Sequence, residues 1–586
     1  MENTVRIGCA VPVVSVADPN TNCVRICDGI RKAGEAGCNL LIFPELCVTG
    51  YTCGDLVSQQ LLIRTAGECV KKIADYTARF PQMHVVIGAP LEIEEQLYNC
   101  GVVLRGGRLL GVVPKVHLTP AEHRWFSGFP LAEAMGDIPV GSDLQFLLDD
   151  GVAFCVQFGG MKTSDAQIVA QLTAHPALVG NRYGEKVQYF SAANRCVCAS
   201  VSTGPSESGQ DMVYSGQSLV AANGVLLAEQ YLAEDYLLTC DVDLLCLTKE
   251  PDFPQPENEE LLSKEPFYGG EDRCREIFQI QVAGLANRLR QLRCKPVIGV
   301  SGGLDSTLAL LVAVEAVRKN GGSASDVCAV TMPGFGTSSR TYDNAKILME
   351  LLGVSVKEVS ISPAVEQHVR DIGHDISVHN ATYEKAQARE RTQILMDYAS
   401  VAGGIVVGTG DLSELALGWC TYNGDHMSMY SVNASIPKTL IPHIIRTVSQ
   451  LPQYENTAAV LEDIIATPIS PELLPTDTQG NLTQQTEDLV GPYVLHDFFL
   501  YHTLRHGRTP KEIFDLACQA FAGQFADTII KKWLGVFYRR FFSQQFKRSC
   551  LPEGVKVGAI SLGPRGDWCM PSDASVKLWL DEVYNL

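Results

Sequence analysis

The sequence predicts an α/β protein in two parts, and three observations carry that reading. Apolar β-branched runs alternate with helix-periodic segments through both halves of the chain, the pattern of sheets covered by helices. Residues 249–272 are rich in proline, glycine and acid, and read as a connection with little core of its own. Beyond them, Val297-Ile298-Gly299-Val300 runs into Ser301-Gly302-Gly303-Leu304-Asp305-Ser306 and straight on into an apolar helical pattern: strand, tight loop, helix. The predicted domains are therefore 1–248 and 273–586, joined by 249–272. At 586 residues the chain exceeds what one core usually supports.

Bulk properties narrow the function. Net charge is −19, from 47 basic and 66 acidic residues, and no long basic run breaks that balance. A nucleic-acid or membrane-surface role is not expected on this ground, because binding a phosphate backbone needs a basic footprint. No apolar run reaches transmembrane length, and Met1-Glu2-Asn3-Thr4-Val5-Arg6 lacks the basic start and apolar core of a signal peptide. The twenty cysteines are scattered, and Cys196-Val197-Cys198 is not a metal-ligand spacing. Free thiols in a reducing, cytoplasmic setting are expected.

In chain order, residues 5–14 read as a buried strand, and a helix capped by Asp18 or Asn20 follows, running to Gly34 and Gly37. Leu40–Phe43 and Val85–Gly88 are further strands, and residues 100–113 form a hairpin around Gly106-Gly107. Val152–Val156 is another strand, and Gly216–Glu229 a hairpin turning at Asn223-Gly224. Three polar groups fall at or near strand ends: Glu45, Lys115 and Cys155. A thiolate near an ammonium has a lowered pKa, and a carboxylate can shuttle its proton. Such a cysteine attacking an amide carbonyl expels ammonia and leaves a thioester for water.

Phe43-Pro44-Glu45-Leu46, Thr49-Gly50-Tyr51, Pro114-Lys115 and Phe154-Cys155 together resemble the carbon–nitrogen hydrolase (nitrilase) superfamily, over residues 4 to about 245. The resemblance implies a nitrilase-like αββα sandwich with Glu45 as base, Lys115 as oxyanion stabiliser and Cys155 as nucleophile. The chain departs from the glutamine-hydrolysing branch at several pocket positions. That branch has Cys-Glu-Asp where this chain has Cys155-Val156-Gln157, and a Ser and an Arg where this chain has His175 and Asn181, with Arg182 adjacent. The segment after Lys115 is compressed to Val116-His117-Leu118-Thr119-Pro120-Ala121-Glu122.

In the second half, a helix from about Arg273 to Gln291 precedes the 301–306 loop, and the helix from Asp305 to Lys319 stops at Asn320-Gly321-Gly322. Strands at Val327–Met332 and Val354–Ile361 flank a helix around 341–352, and a helix from Tyr383 to Ala402 leads into Gly404–Val407. Repeated strand–helix alternation implies a parallel sheet, with ligands at the carboxyl ends of its strands. The 301–306 loop fits a phosphate. Its glycines allow close backbone approach, Ser301 and Ser306 offer hydroxyls, and Asp305 offers an oxygen to a hard cation. It lacks the lysine of a Walker loop, so it is another kind of cradle. Gly408-Thr409-Gly410-Asp411-Leu412-Ser413-Glu414 also follows a strand, which makes Glu414 a candidate second carboxylate for that cation.

The loop resembles the SGGxDS segment of the N-type ATP pyrophosphatases. The wider set (Gln387-Ala388-Arg389-Glu390-Arg391, Gly408–Tyr422, Pro437-Lys438-Thr439, Ser470–Pro475, Phe546-Lys547-Arg548 and Pro564–Trp568) resembles the glutamine-dependent NAD(+) synthetase family over nearly the whole chain. That resemblance implies a Rossmann-like parallel α/β synthetase domain of the pyrophosphatase type. It implies ATP binding by Ser301, Gly302, Gly303, Leu304, Asp305, Ser306 and Thr409, and Mg²⁺ at Asp305 and Glu414. Deamido-NAD would meet Glu414, Trp419, Cys420, Thr421, Tyr422 and Lys547. It further implies L-glutamine or ammonia as nitrogen donor and a homo-oligomer. At the level of sequence a second reading stays open, in which the first half is a structural module and free ammonia is the donor. In a third, the ATP-using half activates another acid, as in GMP or asparagine synthesis.

Overall fold

A computed structural model describes residues 4–128, 134–135, 137–160, 164–181, 183–254, 262–469 and 486–586. Arg182 and the Ser470–Pro475 motif lie outside them, as does part of the linker. The chain divides into two units. One is Met1–Ala177 with Asn181–Ser208 and Val213–Glu257; the other is Asn258–Leu586 with Leu178–Gly180 and Gly209–Met212.

The first unit is the expected helix–sheet–sheet–helix sandwich. One six-stranded sheet runs Tyr236–Asp243, Thr4–Val11, Leu40–Ile42, His84–Ile93, Gln96–Arg105, Arg108–Pro114. The other runs Val225–Gln230, Ser218–Ala222, Val197–Ser202, Ile168–Thr173, Ala153–Gln157, Gln145–Leu147. The strands read as continuous apolar runs because both faces are covered. Leu40, Ile42 and Val86 face Phe154, Val156 and Ala170 of the other sheet. Their alternate neighbours Leu41, Phe43, Val85 and Ile87 meet Ile26 and Ile30 of the helix Pro19–Glu35 and Val70 and Ile73 of the helix Gln60–Thr77. The helix Tyr183–Ala193 covers the second sheet, packing Val187 on Cys198, Leu219 and Ala221. Asp18, not Asn20, caps the first helix, accepting from Thr21 N at 3.1 Å. The Gly106-Gly107 and Asn223-Gly224 turns each carry two positive φ values, as two-residue hairpins of this hand require.

The second unit holds a five-stranded parallel sheet in the order Ser355–Glu358, Cys328–Thr331, Lys295–Gly299, Gly404–Gly408, Tyr430–Ser431. The chain winds outward from Lys295–Gly299 in one direction and resumes beside it at Gly404–Gly408. The loops after Gly299 and Gly408 therefore meet at the switch point, where α/β sheets bind ligands. The predicted strand Val354–Ile361 is shortened to Ser355–Glu358, an edge strand exposed at every residue. Ile361 instead turns into the core and caps the next helix. A helical cluster built from Tyr493–His506, Pro510–Ala520, Asp527–Ser543 and Lys577–Tyr584 packs its aromatic core against the short helix Leu412–Leu417. Among the described helices, none is long and apolar enough to cross a membrane. None of the twenty cysteines is in a disulfide, and only Cys569 is exposed.

Candidate functional site

In the first unit, the strand Leu40–Ile42 delivers Glu45 into the interior through a sharp approach of backbone to backbone. A Cβ on Gly88 would lie 2.3 Å from Leu46 N and 2.5 Å from Pro44 O, so only glycine admits this path. Lys115 leaves the end of Arg108–Pro114, and the two side chains meet at 2.7 Å, Lys115 Nζ donating to Glu45 Oε1. Asn99 Nδ2 donates to the same oxygen at 2.6 Å. A second carboxylate, Glu122, takes Lys115 Nζ at 2.7 Å on its Oε1 and Thr119 N at 2.7 Å on its Oε2, and Tyr51 Oη donates to Oε1 at 3.3 Å. Glu45, Lys115 and Glu122 are all buried. Burial pushes the Glu45 carboxyl up to about 7; Lys115 opposes the rise and the Glu122 charge adds to it. Burial alone would lower the Lys115 pKa, but the two carboxylates outweigh it and raise it.

Cys155 stands in the middle of Ala153–Gln157 on the second sheet, paired in register with Val169 and packed among Ala166, Val169 and Cys196. Of the departing positions, Val156 belongs to the core between the sheets, Gln157 is buried and Asn181 is exposed. The His175 ring lies 3.7 Å from that of Tyr183, and its Nε2 is buried with no partner among the described residues. Burial, aided by the charges of Lys115 and Lys186, lowers the His175 pKa to about 4, so the ring is neutral.

In the second unit, the 301–306 loop closes on itself. Ser306 Oγ accepts from Ser301 N at 3.2 Å and donates to Gly303 O at 3.1 Å, while Ser301 Oγ accepts from Gly303 N at 3.2 Å. Gly302 has φ +84°, and a Cβ there would lie 2.0 Å from Thr341 O. Asp305 stands in the first turn of Leu304–Lys319. From the adjacent strand, Asp411 caps the helix Leu412–Leu417 by accepting from Glu414 N at 2.8 Å. Asn433 Nδ2 ties the two loops together, donating to Asp305 O and Thr409 O at 2.9 and 3.1 Å.

Carboxylate oxygens of Asp305, Asp411 and Glu414 lie within 4.8 Å of one another. The ammonium of Lys438 sits among them, 2.7 Å from Asp305 Oδ2, 2.6 Å from Asp411 Oδ2 and 2.8 Å from Glu414 Oε1. Burial would lower the Lys438 pKa, but the three carboxylates hold it well above its usual value. Burial pushes Glu414 up to about 7 against the pull of Lys438, and drives Asp411 well above the carboxylate range. Only with a cation displacing the protons so held would three carboxylates and one ammonium sum to −2, the complement of a divalent ion. Asp305 Oδ1 is buried and has no hydrogen-bond partner among the described residues. A hard, oxygen-seeking ion fits this donor set.

The helix Leu412–Leu417 is held at its far end by three cations. Arg548 donates to Leu415 O and Ala416 O at 3.1 and 2.9 Å, Arg540 to Leu417 O at 2.9 Å, and Lys547 to Gly418 O and Cys420 O, both at 2.7 Å. Cations on the last carbonyls complement the helix dipole. A cavity of about 460 Å³ opens between this region and the 301–306 loop, within the range of small-molecule sites. Ser301, Asp305, Ser306, Thr409 and Glu414 line one part, and Trp419, Cys420, Thr421 and Lys547 another. Gly302, Gly303 and Leu304, between Ser301 and Asp305 in the same loop, do not line it. Tyr422 does not line it; its side chain is exposed, with its ring 5.6 Å from Phe546.

Three site residues carried no role in the sequence reading. Glu122 and Asp411 stand within 116–122 and 408–414, segments singled out there without a role for either. Lys438 had a usable signal, as the single charge in the apolar stretch Ile436–Ile441.

Comparison with known proteins agrees with this division. Residues 8–246 match the carbon-nitrogen hydrolase family and residues 277–525 the NAD synthase family. The glutamine-dependent NAD(+) synthetase of Mycobacterium leprae is 36% identical over 99% of this chain and 97% of its own length. That of Thermotoga maritima is 26% identical over 95% and 96%. The crystal structure of a glutamine-dependent NAD(+) synthetase from Cytophaga hutchinsonii superposes with TM-score 0.81 at 21% identity, covering 99% of this chain and 100% of that one. The chain thus belongs to the glutamine-dependent NAD(+) synthetase family.

Proposed function

We propose that the chain makes NAD from deamido-NAD, ATP and glutamine, with Cys155, Glu45 and Lys115 releasing ammonia in the first unit and the Asp305–Glu414 region using it in the second. The observation that carries this reading is the presence on one chain of two buried charged centres with complementary chemistry. One is an acid–ammonium–acid net able to run amide hydrolysis. The other is an acidic cluster beside a phosphate-sized loop.

In the first unit, the Cys155 thiol gives its proton to Glu45 as its sulfur attacks the glutamine side-chain carbonyl, and the Lys115 ammonium faces the developing oxyanion. Glu45 returns the proton to the departing nitrogen, so that ammonia leaves and a thioester remains. Water deprotonated by Glu45 then releases glutamate and restores the thiol. A carboxyl raised to about 7 can both take and give a proton near neutrality.

In the second unit, the nicotinate carboxylate of deamido-NAD attacks the α-phosphorus of ATP and pyrophosphate leaves. Ammonia then attacks the acyl-adenylate and AMP leaves, giving NAD. The backbone N–H groups and hydroxyls of 301–306, at the start of a helix, suit the phosphates. Lys438 supplies fixed positive charge beside them. Asp305, Asp411 and Glu414 would hold Mg²⁺, which when bound draws negative charge from phosphoryl oxygens. Thr409 would meet ATP with the loop. Trp419, Cys420, Thr421 and Lys547, lining the same cavity, would face deamido-NAD, and Tyr422 is grouped with them on its motif. Family membership also supports a homo-oligomer, which light scattering would measure, and the free thiols support a cytoplasmic location.

The test is a Cys155→Ala chain assayed with each nitrogen source. Glutamine-driven NAD formation and glutamate release should fall to background, while formation from ammonium chloride persists. Glutamine-driven formation surviving the substitution would remove Cys155 from the reaction.

A further inference from the structure

The cation site takes Asp305 from the start of Leu304–Lys319, Asp411 and Glu414 from residues 411–414, and Lys438 from 437–439, and something must set the last two segments against each other. That link is Asp497, on the helix Tyr493–His506 and 1% exposed. Its Oδ1 accepts from Ser413 Oγ, and its Oδ2 accepts from Thr439 N at 3.1 Å and Thr439 Oγ1 at 2.8 Å. Ser413 Oγ in turn accepts from Lys438 N at 2.8 Å. One carboxylate thus grips the residue before Glu414 and the residue after Lys438, and through Ser413 fixes the backbone of Lys438 itself. One turn earlier on the same helix face, the Tyr493 ring lies 5.5 Å from Lys438 Nζ.

We propose that Asp497 is a positioning residue of the cation site, holding Glu414 and Lys438 in their mutual register through Ser413 and Thr439. This rests on the reading of Asp305, Asp411 and Glu414 as cation ligands. The carboxylate itself is the argument. All three of its hydrogen-bond donors are neutral and no salt bridge reaches it among the described residues, so the nearby Lys438 charge offsets only part of the cost of burying it. What the charge provides is geometry. Two oxygens take three converging donors, and no amide side chain can do so, because one of its two polar atoms is itself a donor. With Asn at 497, an amide N–H turned toward Thr439 N would set donor against donor, and one turned toward Ser413 must share an Oγ that already accepts from Lys438 N, so the brace on the Glu414–Lys438 contact at 2.8 Å weakens.

The experiment uses the full-length chain with Mn²⁺ as probe. Cation affinity is read by electron paramagnetic resonance, and kcat and the Mg²⁺ half-saturation by ammonia-driven NAD formation. For Asp497→Asn, Mn²⁺ binding should weaken roughly 5-fold or more and kcat fall about 10- to 100-fold, the scale of a misplacement near 1 Å. KM for deamido-NAD should change less than Mn²⁺ affinity, because Trp419, Cys420, Thr421 and Lys547 at its end of the cavity keep their places even where Glu414 shifts. Thr439→Val and Ser413→Ala each remove one strut and should weaken Mn²⁺ binding by a smaller factor in the same direction. They decide the matter if Asp497→Asn does not fold. Unchanged Mn²⁺ affinity and kcat in Asp497→Asn, or in both single-strut variants, overturns the proposal while wild-type Mn²⁺ binding stands. A wild-type chain that binds no Mn²⁺ overturns the cation reading itself, and the proposal with it.

Discussion

Replacing Lys438 by Met keeps the length of the side chain and removes its charge. Three carboxylates then lie within 4.8 Å of one another with no fixed cation between them. At an effective dielectric near 20, two unit charges that far apart repel by roughly 3.5 kcal/mol. The cluster escapes most of this by taking up protons, so the net cost is set by the broken buried pairs, about 3–5 kcal/mol. The second unit spans Asn258–Leu586. At about 2.1 cal/mol/K of unfolding entropy per residue, a domain of roughly 330 residues loses about 4–7 °C of Tm from that cost. Calorimetry in EDTA should show this drop in the transition of the second unit. Added Mg²⁺ should restore part of it, and should stabilise the variant more than the wild type, because the ion then meets no fixed ammonium among the three carboxylates. Ammonia-driven NAD formation should stay low in both conditions. A variant that melts with the wild type in EDTA, or that gains no more from Mg²⁺ than the wild type does, refutes the electrostatic account.

Two further expectations concern pH. Glutamate release should rise with pH through about 7 and level off above it, since Glu45 must be ionised to act as base and burial has raised its pKa to that region. Because the Glu122 charge adds to that rise, Glu122→Gln should move the limb to lower pH; a flat profile from pH 5.5 to 8.5 would remove Glu45 as the base. Burial, as the largest cause, also lowers the pKa of His175 and of His496 from 6.5 to about 4. The unfolded chain therefore takes up protons below 6.5 that the folded chain refuses until about 4. The histidine contribution to stability should be complete above pH 6.5 and fall across that window by about 1.4 kcal/mol per unit for each histidine. Urea midpoints measured from pH 7.5 to 4.5 check this, and His175→Gln should flatten the fall.

What the sequence made legible follows from where its signals are local. The 301–306 loop announces itself because a strand, a run of small residues and a helix occur within one short stretch. The sandwich is legible because strands covered on both faces are apolar throughout, and the two hairpins because their turns need positive φ. Glu122 and Asp497 were invisible for the opposite reason. Asp497 acts through partners distant in sequence, residues 413 and 439, and Glu122, though only seven residues from Lys115, lies in an irregular stretch that gives no sign of the fold bringing them together. Neither belongs to a run with a period. The edge strand was overextended because Val354 and Ile361 are buried by packing at its two ends, and burial without pairing looks the same in a sequence. Tyr430–Ser431, two residues long, is too short to leave any pattern.

The free thiols give the molecule a built-in chronometer. A buried thiol reacts with an alkylating reagent only when its surroundings open, so the rate at each cysteine reports a local opening rather than a chemical difference. Cys9, Cys100 and Cys198 lie within the strands of the first unit, and Cys274 and Cys328 within the helix and sheet of the second. Cys569, the one exposed thiol, sets the unprotected reference rate. Timed alkylation read by mass spectrometry would therefore rank the opening of both units in the unmodified chain, with each substrate present or absent, and without a single engineered label.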